Sequence, residues 1–323
     1  MDNGEQRPLL IGISARSLFD MTHETELFQK KGMKEYRQYQ HDKRMVAFGP
    51  GVAYRFIQRM LSLNSIAKPG EPLVEVAIVS HMDPDAGCRV MNSLKPLGID
   101  ASESIFTSGG DVTRYLQALG VNLYLSFDEA NVKTAIDAGI PAGHIMTREA
   151  ITDHDTVDGE IRLAFDFDGC LSDDDSERVF QRDGLKAFES YEEDHIMLPL
   201  EPGPMYPFIR GLARIQEAEC AYSAEHEDYH HRMKISIVTM RSALSGTRVM
   251  NTLDSWGVKV DEAFYMGGHD KTPILATYHP HLFLDDNPNN IASAKTSVMS
   301  VHVPFGVVNR TDESDNVGVM TPQ

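Results

Sequence analysis

Cysteine is scarce. The 323 residues hold three, Cys88, Cys170 and Cys220. An odd count at wide spacing gives neither a disulfide framework nor a metal-binding motif, and it fits a reducing compartment. Tryptophan occurs once, as Trp256 in a Ser-Trp-Gly context that suits core packing. Positive charge is in short supply: 30 Lys and Arg face 48 Asp and Glu, a net charge of −18. That balance argues against nucleic acid and against anionic membrane surfaces as partners. No run approaches the ~20 apolar residues of a spanning helix. The polar start, Met1 to Pro8, precedes an apolar run too short for a secretory signal. A cytoplasmic location is the expectation. Gly49-Pro50-Gly51 is not followed by the Gly-Lys-Ser/Thr of a phosphate loop, so it reads as a turn.

What is present is an alternation of short apolar runs and helical stretches. Leu9 to Ile13, Val74 to Val79, Val121 to Leu125, Leu163 to Phe165, Ile235 to Thr239 and His281 to Leu284 read as buried strands. Between them, helices are expected around 24–44, 54–60 and 86–97. Strands alternating with helices imply a mostly parallel α/β sheet. Phe28, Tyr36 and Tyr39, like Phe180, Phe188 and Tyr191, have helical spacing that favours core positions, with base stacking as the second reading.

The chain also repeats itself. At an offset of 152, Ser14-Ala-Arg16 meets Asp166-Phe-Asp168, and Phe28, Gly32 and Tyr39 meet Phe180, Gly184 and Tyr191. Pro50-Gly51 meets Pro202-Gly203, and Tyr54, Phe56 and Ile57 meet Tyr206, Phe208 and Ile209. At an offset of 159, Arg89-Val-Met-Asn92 meets Arg248-Val-Met-Asn251. The change of offset marks an insertion near Glu217 to Arg232, a polar stretch that reads as an exposed loop with His230 and His231 in solvent. The expected organisation is two tandem Rossmann-like units from an internal duplication, residues 1–155 and 156–323. Each is a sheet with flanking helices and a small helical insertion, which in the second unit covers about 172–232.

Charged groups at strand ends distinguish the copies. Asp166 and Asp168 follow the strand Leu163 to Phe165, and two carboxylates so close repel unless a cation or a shared proton relieves them. Either a Mg²⁺ site or a carboxylate nucleophile beside a general acid is implied. Thr239, Lys271 and Asp285-Asp286 also stand just after expected strands. The first copy has Ser14, Arg16, Ser80, Val112, Ser126 and Phe127 at these places. The second copy is thus expected to carry a reaction and the first not. Asp173-Asp-Asp175 reads as a solvated helix start. Cys170, beside these anions, is expected to have a raised thiol pKa.

The ordered set Asp-x-Asp, Thr, Lys, acidic pair resembles the haloacid dehalogenase-like phosphohydrolases. Over nearly the whole chain the sequence is similar to the cytosolic type I 5′-nucleotidases. The likeness rests on Ile13 to Asp20, Phe48 to Gly51, Ala164 to Asp168 with Ser172 to Glu177, Val238 to Ala243, Ser255 to Gly257, Phe283 to Asp286 and Val301 to Gly306. One departure is that Phe167 and Gly169 stand in reversed order, where the pattern has Gly between the acids. The resemblance implies a Mg²⁺-dependent hydrolase of nucleoside 5′-monophosphates. In it Asp166 is the nucleophile, Asp168 the general acid and base, Thr239 a phosphate donor and Lys271 the charge-offsetting cation. The backbone amides of Phe167 and Met240 would help hold phosphate. It further implies Mg²⁺ held by Asp166, the Asp168 carbonyl and Asp286, with Asp285 in support through water. Arg241 could reach phosphate or base, or pair with a surface acid. Other small phosphate esters, a nucleotide sensor without turnover, and a homo-oligomer built through the first copy stay open as alternatives. The tail beyond about Gly306 is expected to be loosely docked.

Overall fold

In the computed structural model, residues 7–151 and 159–310 are described. The expected boundary at 155/156 and the tail from 311 onward lie outside them. The strands are β1 (Leu9–Ile13), β2 (Phe19–Asp20), β3 (Gly49–Pro50), β4 (Val74–Ser80), β5 (Glu103–Phe106), β6 (Leu123–Ser126) and β7 (Ala142–Ile145), followed by β8 (Ile161–Phe165), β9 (Met233–Thr239), β10 (Glu262–Tyr265), β11 (Leu282–Asp285) and β12 (Ser300–His302). Ten of them form one sheet in the order β10-β9-β8-β11-β12-β7-β6-β1-β4-β5, while β2 and β3 pair separately. Every neighbouring pair in the large sheet is parallel except β12 with β7. The protein is thus α/β with a large, mostly parallel sheet and flanking helices.

The strands are apolar runs because helices cover both faces, leaving little solvated surface for polar side chains. All five residues of β1 and six of seven in β9 are buried. In each half the first strand is flanked on one side by the second and on the other by the fourth: β8 lies between β9 and β11, and β1 between β4 and β6. The chain therefore reverses its direction of travel across the sheet beside β8, and again beside β1. Crevices at the carboxyl ends of strands open at such reversals.

The two halves share one sheet and one large apolar core, and a smaller separate cluster around Ala164, Val238, Leu275 and Phe283 lies within the second half. The antiparallel pairing Val301 with Ile145 and His302 with His144 joins them. Gly143 allows the close approach, since a Cβ there would lie 2.2 Å from Val301 Cγ1. The helix Tyr206–Glu225 also bridges them, contacting β1 as well as β9. Within the segment expected to form the helical insertion, Asp175–Asp183 and Leu185–Asp194 pack on each other, whereas Tyr206–Glu225 is a core helix.

Several expectations are corrected. The stretch from Glu217 is not an exposed loop at its start: the helix runs to Glu225, and Glu219 is buried. Its carboxylate accepts from the Arg232 and Met233 amides at 2.7 and 3.1 Å, which otherwise would be orphaned before β9. His230 and His231 are exposed, as read. Phe28 and Phe180 are not core residues but stand 44% and 42% exposed. Asp174 is buried rather than solvated, accepting from Arg178 and from the Val307 amide at 2.7 Å. Residues 307–310 are accordingly docked, not loose.

Candidate active site

Asp166 follows β8, and its amide donates to the Leu284 carbonyl of β11 at 2.8 Å. That bond fixes the chain where it leaves the sheet. The turn Phe167–Leu171 then carries Gly169 at φ +69°, a left-handed conformation that favours glycine. A Cβ on Gly169 would also lie 2.3 Å from Asp286 Oδ2. The reversed Phe-x-Gly order thus has a local reason: Phe167 packs in the core against Trp256, and Gly169 passes the acidic pair.

Lys271, at the start of the helix Thr272–Tyr278, is 1% exposed. Its Nζ lies 2.7 Å from Asp166 Oδ1 and 2.7 Å from Asp285 Oδ2. Burial opposes its charge, but the two carboxylates outweigh that and hold its pKa above the ordinary value. Asp285, the last residue of β11, also accepts from the Asn287 amide at 2.7 Å and from Asn290 Nδ2. Asp286 differs: it is 4% exposed, and no hydrogen bond to its carboxylate is formed among the described residues. Its backbone carbonyl is clamped instead, by Asn309 Nδ2 at 2.8 Å and His302 Nε2 at 3.0 Å.

Ligand oxygens of Asp166, Asp285 and Asp286 all lie within 4.8 Å of one another. Burial raises the Asp166 pKa to about 7 against the lowering by Lys271, with Asp285 adding to the rise. Asp286 is likewise raised, by burial first and then by Asp166 and Asp285. A buried carboxylate without a donor beside two others is costly unless a cation joins it. The residues present therefore fit a divalent cation, and an all-oxygen donor set suits a hard one.

Thr239 ends β9 and is buried, its Oγ1 accepting from the Arg241 amide at 3.2 Å, which leaves its proton to donate. Met240 is 39% exposed at the rim. Arg241 does not pair with a surface acid. It is buried, and its Nε and one terminal nitrogen donate to the two oxygens of Asp168, both at 2.7 Å. Its other terminal nitrogen binds Glu192 on the helix Leu185–Asp194. Glu192 also holds Arg248 at 2.8 Å and Ser176 at 2.7 Å. Glu192 gave no signal in the sequence, since it sits in a charged run, Glu189 to Asp194, that reads as a solvated face. Cys170 is buried beside the acids, and burial before charge pushes its thiol up.

Asp166, Asp285, Asp286 and Lys271 thus meet at the carboxyl ends of β8 and β11, with Thr239 at the end of the neighbouring β9 and Asp168 bound to Arg241. Residues 1–310 match the family model described as 5′-nucleotidase. Cytosolic 5′-nucleotidase 1B of Homo sapiens is 31% identical over 292 residues, covering 89% of this chain and 47% of that protein. The chain spans about half the length of the curated relative it matches. A crystal structure of histidinol dehydrogenase from Elizabethkingia anophelis aligns over 91% of this chain and 53% of its own at 12% identity, and its TM-score of 0.24 carries no argument.

Proposed function

The chain belongs to the 5′-nucleotidase family, and from that premise we propose that it hydrolyses nucleoside 5′-monophosphates to nucleoside and phosphate, with Mg²⁺ as cofactor. The observation that carries the reading is Lys271 bridging Asp166 and Asp285 while Asp286 stands buried without a donor.

Asp166 attacks phosphorus, a P–O bond forms to its carboxylate, and the bond from phosphorus to the 5′-oxygen breaks. Asp168 gives a proton to the departing oxygen, then takes one from the water that attacks the aspartyl-phosphate. Phosphate leaves and Asp166 is regenerated. Lys271 aims Asp166 and favours its ionised form against burial, and Thr239 Oγ1 donates to a phosphate oxygen with the amides of Phe167 and Met240. Mg²⁺, held by Asp166, the Asp168 carbonyl and Asp286, would supply positive charge against the dianionic ester. Asp285 supports through Lys271 and Asn290, to which its oxygens are committed.

Arg241 is a positioning residue in this reading. Both Asp168 oxygens accept from it, so one contact must open before Asp168 carries a proton toward the substrate. Glu192, on the other arm, gives the guanidinium somewhere to go.

The duplication belongs to the same proposal: two haloacid dehalogenase-type units, with a non-catalytic first half and the helices Asp175–Asp183 and Leu185–Asp194 as the cap of the second. Matching strand orders support it. So do paired contacts, such as Arg89 Nε to Val46 O and Arg248 Nε to Leu198 O, both 2.8 Å. The relative's printed name supports a cytoplasmic location. Among the described residues no helix is long and apolar enough to cross a membrane.

The test is phosphate release from AMP, IMP and deoxynucleoside monophosphates in Mg²⁺. Asp166→Asn is expected to lose at least ~10³-fold in kcat. Equal rates for the variant and the parent would reject the nucleophile.

A further inference from the structure

The first half contains a cavity of about 330 Å³, within the usual size of a small-ligand site. It lies at the carboxyl ends of β6, β1 and β4, where the strand order reverses as it does beside β8. The floor is built alike in both halves. Ser14 N donates to Leu125 O at 3.0 Å as Asp166 N does to Leu284 O at 2.8 Å. Thr107 N donates to Ser80 O at 3.1 Å as Met266 N does to Thr239 O at 2.9 Å, and Gly109 N to His81 O at 2.8 Å as Gly268 N to Met240 O at 3.0 Å.

Only the chemistry is exchanged. Ser14, Ser126 and Phe127 stand in the places of Asp166, Asp285 and Asp286. Val112 replaces Lys271, and Arg16 replaces Asp168. A floor with four carboxylates against Lys271 and Arg241 becomes one with hydroxyls and the guanidinium of Arg16, while Arg37, also in the lining, is bonded to Asp83. Arg16 is exposed and lines this cavity as well as a neighbouring one, and among the described residues no carboxylate pairs with it. His81 Nε2 is buried there without a hydrogen-bond partner. Ser80 accepts from the amide of Met82 and so keeps a proton to donate, while Ser126 accepts from the amide of Asp128 and also bonds the Tyr124 hydroxyl. The carboxylates that line the cavity are already engaged. Glu24 binds Arg89 at 2.7 Å, Asp83 binds Arg37 at 3.4 Å and caps the helix Pro84–Leu94, and Asp128 caps Glu129–Asp137. The remaining wall is largely apolar. Phe28 and Tyr36, edge to face at 5.9 Å, stand on the two helices above it, and Phe127 is on the floor.

We propose that this cavity is a second binding site, taking a nucleoside monophosphate without hydrolysing it. The phosphate would meet Arg16, His81 and the serine hydroxyls, and the base the aromatic wall. No metal is required, because the carboxylates that line the cavity are already held, Glu24 by Arg89, Asp83 by Arg37, and Asp83 and Asp128 as helix caps. No turnover follows, because Ser14 has neither the Lys271 counterpart nor an adjacent acid. This goes beyond the hydrolytic reading, which concerns the other half, and the two can fail separately.

The experiment is a calorimetric titration of AMP into the full chain in excess EDTA, where the acidic floor of the second half repels phosphate. The expected result is one metal-independent site per chain, weakened about tenfold or more by Arg16→Ala, in line with the loss of one charge-assisted contact. Phe127→Asp, which returns a carboxylate to the floor, is expected to abolish it, while Asp166→Asn leaves it unchanged. Inorganic phosphate should bind at least tenfold more weakly than AMP, on the order of one stacked ring. Absence of binding in EDTA, binding that Arg16→Ala and Phe127→Asp leave intact, or equal affinity for phosphate and AMP would overturn the proposal. Loss of Mg²⁺-dependent phosphate release with this binding retained would instead count against the hydrolytic reading alone.

Discussion

Replacing Lys271 with methionine removes one buried cation from between two carboxylates. Its Nζ lies 2.7 Å from both Asp166 and Asp285, and the side chain is 1% exposed. Methionine fills a similar volume, so the change is mainly electrostatic. Removing one partner of a buried pair costs about 3–5 kcal/mol, because the other charge is left uncompensated. Here the loss should fall at the low end. Asp166 already has a pKa of about 7, so it can take a proton near neutrality rather than remain a buried anion. Asp285 keeps its donors from Asn287 and Asn290. The same protonation removes the nucleophile. Loss of one placed charge facing a developing anion costs about 10²–10³ in kcat, and a neutral Asp166 adds to that. Urea unfolding should therefore show roughly 3 kcal/mol of destabilisation, and phosphate release from AMP a fall of ~10³-fold. The double variant Lys271→Met with Asp285→Asn separates the two effects. It removes the stranded carboxylate, so stability should partly return while the rate does not. A Lys271→Met enzyme within about threefold of the parent, a difference below 1 kcal/mol, would refute the reasoning.

Three further outcomes follow from particular contacts. Gly169→Ala places a Cβ 2.3 Å from Asp286 Oδ2 at φ +69°, so it should weaken Mg²⁺ activation at least ~10-fold, seen as a raised half-saturating Mg²⁺ concentration. Arg241→Lys cannot donate to both Asp168 oxygens at once, so kcat should fall at least ~10-fold while KM for AMP changes little; an unchanged kcat would remove Arg241 from positioning Asp168. Burial, with Arg148 and His302 nearby, holds His144 below its ordinary pKa of 6.5 against the pull of Glu129. The unfolded chain therefore takes a proton first on acidification, and stability falls with pH below 6.5; His144→Gln should flatten that fall in urea titrations across this window.

The strand ends were legible because β-strands in a covered sheet are nearly pure apolar runs. Asp166 follows β8, Thr239 ends β9 and Asp285 ends β11 just before Asp286, whereas Lys271 stands six residues past β10, at the start of the helix Thr272–Tyr278. Their partners were not legible. Arg241 and Glu192 lie 49 residues apart, and nothing local in either run separates a solvated charge from one buried in an ion pair. Glu219 is similar, since its capping of β9 depends on a helix continuing through a polar stretch. Phe28 and Phe180 have core spacing yet stand exposed, because Thr22–Lys31 packs on Met33–Asp42 and Asp175–Asp183 on Leu185–Asp194 rather than on the sheet. The single ten-stranded sheet was hidden for the same reason. Internal likeness between halves carries no information about the edge along which they meet, here β7 on β12.

The most direct test is to find where phosphate resides during turnover. The chain, mixed with AMP and Mg²⁺, is quenched in acid within a turnover, digested and read by mass spectrometry. The account predicts a phosphorylated peptide containing Asp166, absent from Asp166→Asn. Phosphate release by the parent with no covalent phosphate at Asp166, or with the label on another residue, would contradict it.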